Sequence, residues 1–282
     1  MTETWSPRVT RVLAPNPSPL TLEGTNTFVV AEPGAGTVVV IDPGPADDGH
    51  ARAVLGACDG RRVELVLLTH THVDHAEGAH AFAERAGAPL AALAPGWATP
   101  GAPDLVAGDP VAAAGLELRP LPTPGHAADH CCFRLDVERA VFTGDHVLGR
   151  GTTVVEWPGG DMTAYLASLE LLLELRPERL YPGHGPLVPD AVARVEGYLA
   201  HRLDREAQVL AALTAGDRTP AEVVARVYAS VDRSLHPAAE LSVRAHLAKL
   251  THDGQVTTPD GEQFTPDPGN RGPIREGNPG RQ

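Results

Sequence analysis

The chain contains few lysines, cysteines and aromatic residues, and each of these shortages excludes or disfavours a class of protein function. Lys249 is the only lysine and the formal net charge is −13 at pH 7, which excludes a surface built to coat a polyanion. Cys58 and the adjacent Cys131 and Cys132 form neither a disulfide framework nor a zinc-ribbon spacing, so we expect reduced, buried thiols. No basic start precedes an apolar stretch, and no segment is long enough to cross a bilayer. We therefore expect a cytoplasmic protein without a membrane partner.

Hydrophobic residues occupy 42% of the 282 positions, which is enough for a sizeable core. Short β-rich runs separated by turn formers predict a sheet in the first forty residues, and later strands alternate with helices. The predicted strands are 9–13, 27–31, 37–41, 63–69 and 140–143, and the predicted helices are 76–86 and 163–175. This alternation indicates an α/β fold.

Beyond residue 189 the pattern changes to helices followed by a hairpin. Apolar spacing predicts helices over 191–213 and 237–252, and a capping box from Thr219 to Glu222 starts a helix between them. A hairpin over 256–258 and 262–265 completes an order typical of a small winged-helix module. Residues 266–282 carry one aliphatic side chain, Ile274, which predicts a disordered tail. The predicted organisation is a domain over 1–189, a module over 190–265 and this tail.

A cluster of histidines directly follows the predicted strand 63–69. His70, His72, Asp74 and His75 place three imidazoles and a carboxylate within six residues at the carboxyl end of this strand. Imidazole and carboxylate are the ligands that suit zinc or iron. The cluster therefore predicts a metal site, although a histidine-rich loop alone could bind metal without function.

Three further segments repeat this arrangement. His126, Asp145 and His184 each come directly after a glycine, and each lies at the end of a turn or strand. A glycine at such a position lets the backbone approach a buried ion closely. Because four separate segments carry ligand-type residues in this way, we interpret them together as a functional metal site.

The order and spacing of these residues resemble the metallo-β-lactamase superfamily of two-metal hydrolases. Segments 16–27, 151–156 and 182–186 further resemble the β-lactamase-like endoribonuclease family, whose members continue into a winged-helix-like C-terminal segment. The resemblance covers roughly residues 8–262. It implies a four-layer αββα sandwich, an α/β fold, followed by the small helical module.

The resemblance also implies a ligand set for two Zn²⁺ ions, or for a mixed zinc and iron pair. The first ion would be held by His70, His72 and His126, and the second by Asp74, His75 and His184, with Asp145 bridging. The ions would generate a metal-bound hydroxide as the nucleophile, and Asp74 would act as a catalytic residue by orienting it. Asp42 resembles the acid that accepts a hydrogen bond from a ligand histidine.

Other polar residues near these motifs receive structural interpretations. His130 would exceed the ligand count, and His146 is interpreted as a neighbour of Asp145. The remaining histidines are interpreted as surface or core residues: His50, His80, His201, His236, His246 and His252. Candidate pocket residues are Asn26, Thr152 and Thr153. The sequence departs from the related endoribonucleases at Val73, often aromatic there, and at Ala127 and Ala128, where they have an Asp-rich stretch, which puts the substrate in doubt.

Three substrates therefore remain open for a hydrolase: a short single-stranded RNA, a small-molecule ester or thioester, and a β-lactam. Resemblance favours RNA by a narrow margin, whereas the acidic, aromatic-poor composition opposes it. The missing secretion signal disfavours the β-lactam. A metal-containing winged-helix regulator is the non-enzyme alternative, but helix 237–252 offers only Arg244 and Lys249 to phosphates, so we expect no DNA partner. The oligomeric state is open, with a dimer as one option.

Overall fold

The computed structural model describes residues 1–267, and most strands lie in two sheets. The six-stranded sheet follows chain order and consists of β1 Thr2–Ser6, β2 Val9–Leu13, β3 Asn26–Val30, β4 Thr37–Ile41, β5 Arg62–Leu67 and β6 Leu90–Ala91. The five-stranded sheet has the order β11-β10-β9-β8-β7, with β7 Val111–Ala113, β8 Leu116–Pro122, β9 Cys131–Leu135, β10 Ala140–Gly144 and β11 Arg179–Pro182.

The helices lie between and after these strands. They are α1 Asp48–Ala57, α2 Val73–Ala76, α3 Ala79–Ala86, α4 Met162–Leu175, α5 Ala191–Thr214, α6 Pro220–Val227 and α7 His236–His252, with short 3-10 turns at Asp136–Glu138 and Arg233–Leu235. The predicted helices 163–175, 191–213 and 237–252 are confirmed within one residue at each end. In the described part of the chain, no helix combines the length and apolarity that crossing a membrane requires.

Strand direction collects several loops at the same edges of the sheets. Strands β4, β5 and β6 are parallel in the first sheet. In the second sheet β10 is parallel to β11, and β8 runs in the same direction because β9 is antiparallel to both β8 and β10. The loops that leave the carboxyl ends of β4 and β5, and those that leave β8, β10 and β11, therefore emerge together within each sheet.

The core lies between the two sheets and joins them through aromatic rings. The ring of Phe28 on β3 lies 5.1 Å from that of Phe142 on β10, and Phe142 lies 4.9 Å from Tyr181 on β11. All three side chains are buried, as is the valine run of β4. Phe28, Phe142 and Tyr181 belong to a single apolar cluster, which fixes the facing sheets and so the loops at their ends.

The predicted helix 76–86 is wrong in one respect, because the structure breaks it at Gly78. The segment forms α2 and α3 instead of one helix, and α2 already begins at Val73. Gly78 donates its N–H to the carbonyl of Gly44 at 3.0 Å, and a Cβ on Gly78 would lie 2.8 Å from the Pro45 carbonyl oxygen. This tight approach to a distant turn requires glycine there and interrupts the helix.

The contacts between residues divide the protein into two compact units. The first unit consists of Met1–Val155 and Gly159–Ala200, and the second consists of Glu156–Pro158 and the chain from His201 onward. The helix α5 therefore begins in the first unit and ends in the second. The predicted division at residue 189 stays a prediction. The predicted tail, 266–282, lies outside the described residues except for its first two positions.

The second unit contains a helical core and a short hairpin. Thr219 forms the predicted capping box with Glu222 at the start of α6, and the core includes Val223, Leu247 and Phe264. The hairpin pairs β12 Val256–Thr257 with β13 Thr265–Pro266, so its second strand begins later than the predicted 262. The reason is local: the Asp260 carboxylate accepts the backbone N–H groups of residues 262 and 263 and holds them in the turn.

Candidate metal centre

Five strand ends supply the residues predicted for the metal site. The loop after β4 carries Asp42, and the loop after β5 carries residues 70–75. Those after β8, β10 and β11 carry His126, Asp145 and His184. The structure brings all seven predicted ligands together as two adjoining groups, one of His70, His72 and His126, the other of Asp74, His75, Asp145 and His184, and within each group the ligand-type atoms lie within 4.8 Å of one another.

In the first group three ring nitrogens point at one another. His72 Nδ1 lies 3.1 Å from His70 Nε2 and 2.9 Å from His126 Nε2. His126 Nδ1 donates to the Val154 carbonyl at 2.7 Å, so its Nε2 carries a lone pair when the ring is neutral.

The tautomer of His70 follows from its neighbour. The Thr69 hydroxyl donates its only hydrogen to Asp42, so it accepts from His70 Nδ1 at 3.0 Å. His70 Nε2 then carries a lone pair that is directed at His72. The lone pairs of His70 and His126 both face His72 Nδ1, which offers a third lone pair when its ring carries the hydrogen on Nε2. Three converging imidazole nitrogens are a donor set that suits a metal ion.

The second group combines two imidazoles with two carboxylates. His75 Nε2 lies 3.3 Å from His184 Nε2, and Asp145 Oδ1 lies 3.2 Å from both. Asp74 Oδ2 lies 3.1 Å from His184 Nε2. The Nδ1 atoms donate elsewhere, His75 to Asp42 at 2.8 Å and His184 to the carbonyl of Gly24 at 3.1 Å. Both Nε2 atoms are therefore available to a metal.

Asp145 lies between the two groups. Its Oδ1 faces His75 and His184, whereas its Oδ2 lies 3.7 Å from His126 Nε2 in the first group. His130 is not part of either group: its Nδ1 donates to Thr123 at 2.9 Å and its Nε2 accepts the backbone N–H of Asp145 at 3.2 Å. His130 thus positions the backbone of Asp145, whose two carboxylate oxygens face different groups.

Electrostatics differ between the two groups. Burial disfavours a charged His184, yet the neighbouring Asp145 carboxylate raises the pKa of His184 to about 9. Burial likewise opposes charge on His75, but Asp145, Asp42 and Asp74 hold its pKa well above the usual range. In the first group burial lowers the pKa of His70 and of His126. Burial therefore favours the neutral form of His70 and of His126, while the carboxylates of the second group attract positive charge.

Asp42 is hydrogen-bonded to one candidate ligand of the second group and to the threonine that holds the first, and its predicted role beside a ligand histidine stays a prediction. Its carboxylate accepts from the Thr69 backbone N–H at 2.7 Å, from the Thr69 hydroxyl at 2.7 Å and from His75. Its φ is +51°, a left-handed conformation that aspartate adopts more readily than most residues. The Thr27 hydroxyl, which also contacts His50, donates to the Asp42 carbonyl at 2.6 Å and supports this conformation.

Two of the glycines that precede candidate ligands allow neighbouring chain segments to approach one another closely. Gly144 has a φ of +45°, and a Cβ there would lie 2.6 Å from the Thr69 hydroxyl oxygen. A Cβ on Gly183 would lie 2.7 Å from the His75 ring and 2.8 Å from Asp145 Oδ1. A side chain at Gly183 would therefore displace His75 or Asp145 of the second group, and one at Gly144 would displace Thr69, which holds His70.

Two of the three predicted pocket residues are buried in supporting roles. Asn26 is fully buried and donates to the carbonyls of Pro182 and Gly185. Thr153 is buried and its hydroxyl donates to the backbone carbonyl of Asp145. Thr152 is exposed. Sequence reasoning missed these supports, since a polar turn residue carries no sign of its distant partner.

Comparisons with known proteins follow the same division of the chain. A family model described as the metallo-beta-lactamase superfamily matches residues 20–184, and one described as the beta-lactamase associated winged helix domain matches 219–263. The beta-lactamase-like protein 2 homolog of Caenorhabditis elegans is 34% identical, over 93% of this chain and 90% of its own.

Two further matches bear on the activity and the fold. The atrochrysone carboxyl ACP thioesterase of Aspergillus chevalieri is 36% identical, over 89% of this chain and 83% of its own. The crystal structure of a metallo-beta-lactamase family protein from Thermus thermophilus superposes with a TM-score of 0.77 at 25% identity, and the match covers 94% of this chain and 100% of that one.

Proposed function

The chain belongs to the metallo-beta-lactamase superfamily: it is a hydrolase and has the α/β sandwich fold of that superfamily. From this premise we propose that it hydrolyses thioesters with two metal ions. The observation that carries the proposal is the pair of adjoining ligand groups, which lies among segments without basic residues. The similarity to an ACP thioesterase over most of both chains supports the substrate class.

The donor set favours two zinc ions or a mixed zinc and iron pair, since imidazole and carboxylate suit both metals. His70, His72 and His126 would hold the first ion, and the group of Asp74, His75 and His184 would hold the second, with Asp145 shared. When bound, such a pair polarises a carbonyl oxygen, stabilises a leaving sulfur and lowers the pKa of water.

The chain's own residues have distinct parts in the reaction. Asp74 is the more exposed of the two carboxylates in the second group, and its Oδ2 can accept a hydrogen bond from the attacking water and orient it. The water oxygen bonds to the acyl carbon as the carbon–sulfur bond breaks, and the products are a carboxylic acid and a thiol. Thr25, whose hydroxyl lies 3.5 Å from Asp74 Oδ2, steadies that carboxylate.

The segments around the site suit a substrate with an apolar, uncharged acyl group better than a polyanionic substrate such as RNA. Segments 16–26, 69–78, 123–131, 143–149 and 182–186 contain neither lysine nor arginine. Arg150, directly after one of them, is paired with Glu23 at 2.7 Å. Leu20 and Val73, which lie in two of these segments, are 58% and 72% exposed. We therefore place the thioester ahead of the single-stranded RNA that the resemblance favours.

The cationic side chains of α7, Arg244 and Lys249, also form ion pairs with carboxylates. Arg244 contacts the carboxylates of Glu240 and Glu262 at 3.0 and 3.1 Å, and Lys249 contacts those of Glu206 and Asp253 at 2.8 and 2.7 Å. A recognition helix needs free positive charge for phosphates. This pairing supports a hydrolase rather than a DNA-binding regulator.

A substrate panel on zinc-loaded protein tests the proposal. It contains an acyl thioester of a pantetheine thiol, a single-stranded RNA oligomer and a chromogenic β-lactam. We expect rapid release of the thiol with little dependence on salt, and Asp145→Ala should abolish it while Asp104→Ala, in an exposed loop, should not. RNA cleavage without thioester cleavage would refute the proposed substrate.

A further inference from the structure

The three residues before and at the start of β3, Gly24, Thr25 and Asn26, lie against the second ligand group. Thr25 and Asn26 are fully buried, so neither can contact a substrate. Gly24 has a φ of +137°, and a Cβ there would lie 2.1 Å from the Ala14 carbonyl oxygen, which fixes the path of the segment. The contacts of these three residues indicate what the segment does.

Gly24 and Asn26 hold His184 from both sides. The Gly24 carbonyl accepts from His184 Nδ1 at 3.1 Å, which leaves Nε2 as the atom that faces the group. The Asn26 backbone N–H donates to the Gly183 carbonyl at 2.7 Å, and its side-chain amide donates to the carbonyls of Pro182 and Gly185 at 2.9 Å each. One residue thereby fixes the whole turn that carries His184.

Thr25 reaches the other end of the same group. Its hydroxyl lies 3.5 Å from Asp74 Oδ2 and accepts from the Asn16 side-chain amide at 3.0 Å, while its backbone N–H donates to Asn16 Oδ1 at 2.9 Å. Asn16 therefore holds Thr25 at two points. The segment sets the relative positions of Asp74 and His184, which lie on different loops.

The first group has different anchors. His70 is held by the Thr69 hydroxyl and His126 by the Val154 carbonyl. Of the two ligand groups, the contacts described for residues 1–267 connect the Gly24–Asn26 segment to the second group and its turn and not to the first. The segment's other side-chain partners, Asn16 and Arg11, belong to neither group. The Gly24–Asn26 segment thus supports the second group alone, whereas Asp42 supports both groups.

We propose that the Gly24–Asn26 segment is a positioning element that sets the affinity of the second metal subsite independently of the first. This inference rests on the proposed two-metal centre. Asn26 is its main positioning residue, because it makes three hydrogen bonds to one turn. Loss of a residue that orients a metal ligand typically weakens metal binding by roughly 10- to 100-fold.

The test is a zinc titration of the metal-free full chain against a chromogenic chelator, which resolves two dissociation constants. Asn26→Asp keeps the shape but removes both donated side-chain hydrogen bonds, and Thr25→Val removes the hydroxyl. We expect each to weaken the second constant, by roughly 10- to 100-fold for Asn26→Asp, and to leave the first unchanged. Thr25→Ser should restore it, and Thr37→Val, whose hydroxyl donates to Glu64 instead, should change neither constant.

Thermal unfolding followed by circular dichroism identifies any variant that fails to fold, in which case the other variant decides. Unchanged constants in folded Asn26→Asp and Thr25→Val protein would overturn the inference while leaving the two-metal centre intact. Equal weakening of both constants would overturn the claimed independence. A wild-type chain that binds a single ion would overturn the two-metal centre itself, and the inference with it.

Discussion

Replacement of Asp42 by asparagine removes one acceptor behind the metal centre while it preserves the backbone. Asparagine, like aspartate, adopts the left-handed conformation that Asp42 has at a φ of +51°. The asparagine oxygen can keep the hydrogen bond from the Thr69 backbone N–H. Its amide nitrogen then faces two donors, the Thr69 hydroxyl and His75 Nδ1, at the position where the native oxygen accepts at 2.7 and 2.8 Å.

Each way of resolving this conflict weakens metal binding. If His75 keeps its tautomer, a buried donor loses its acceptor, which costs about 1–3 kcal/mol. If His75 changes tautomer to accept from the new amide, its Nε2 carries a hydrogen and can no longer bind a metal. The Thr69 hydroxyl also holds His70, so the disturbance reaches both groups. At about 1.4 kcal/mol per tenfold change, the expected loss of affinity is at least roughly 5- to 150-fold.

The assay is the titration of metal-free protein with zinc in competition with a chelator, and both dissociation constants should increase. Asp59→Asn is the matched control, because Asp59 also has a left-handed φ, +52°, but is exposed. Unchanged constants in folded Asp42→Asn protein would show that the hydrogen bonds to Asp42 do not orient the ligands, and the account of the site would be wrong.

Three further predictions concern close packing, the second core and the thiols. Gly183→Ala should lose the second metal ion, because its Cβ would lie 2.7 Å from the His75 ring; elemental analysis showing two ions would contradict this. Leu247→Ala, in the buried core of the second unit, should lower the free energy of unfolding by about 2–5 kcal/mol in urea denaturation, and a loss below about 1 kcal/mol would show that this core is loosely packed. Burial raises the pKa of Cys132 to about 12, and the other two cysteines are also buried. Ellman's reagent at pH 8 should therefore react with the thiols only after denaturation, and rapid labelling of native protein would contradict their burial.

The positions of the candidate ligands could be predicted because their signals are local. His126, Asp145 and His184 each follow a glycine at a strand end, and the histidine cluster directly follows β5. Parallel strands then bring such loops together without further information. The resemblance to a known family supplied the division into two groups, which spacing alone does not give.

The supporting residues could not be predicted, since their partners lie far away in the sequence. Asn26 is 156 residues from the Pro182 carbonyl that it contacts, and nothing near it indicates this bond. His50 looked isolated but contacts Thr27, which supports Asp42. The break at Gly78 depends on the Pro45 carbonyl, so helical periodicity alone missed it. Tertiary contacts decide each of these features, whereas local pattern decides the ligands.

Thioester turnover measured against the number of zinc ions bound per chain tests the central claim most directly. Metal-free protein is loaded stepwise, the bound zinc is quantified, and release of the thiol is followed at each step. The two adjoining ligand groups predict that turnover increases until two ions are bound and then stays constant. Turnover that is complete with one ion, or that persists in metal-free protein, would contradict a two-metal thioester hydrolase.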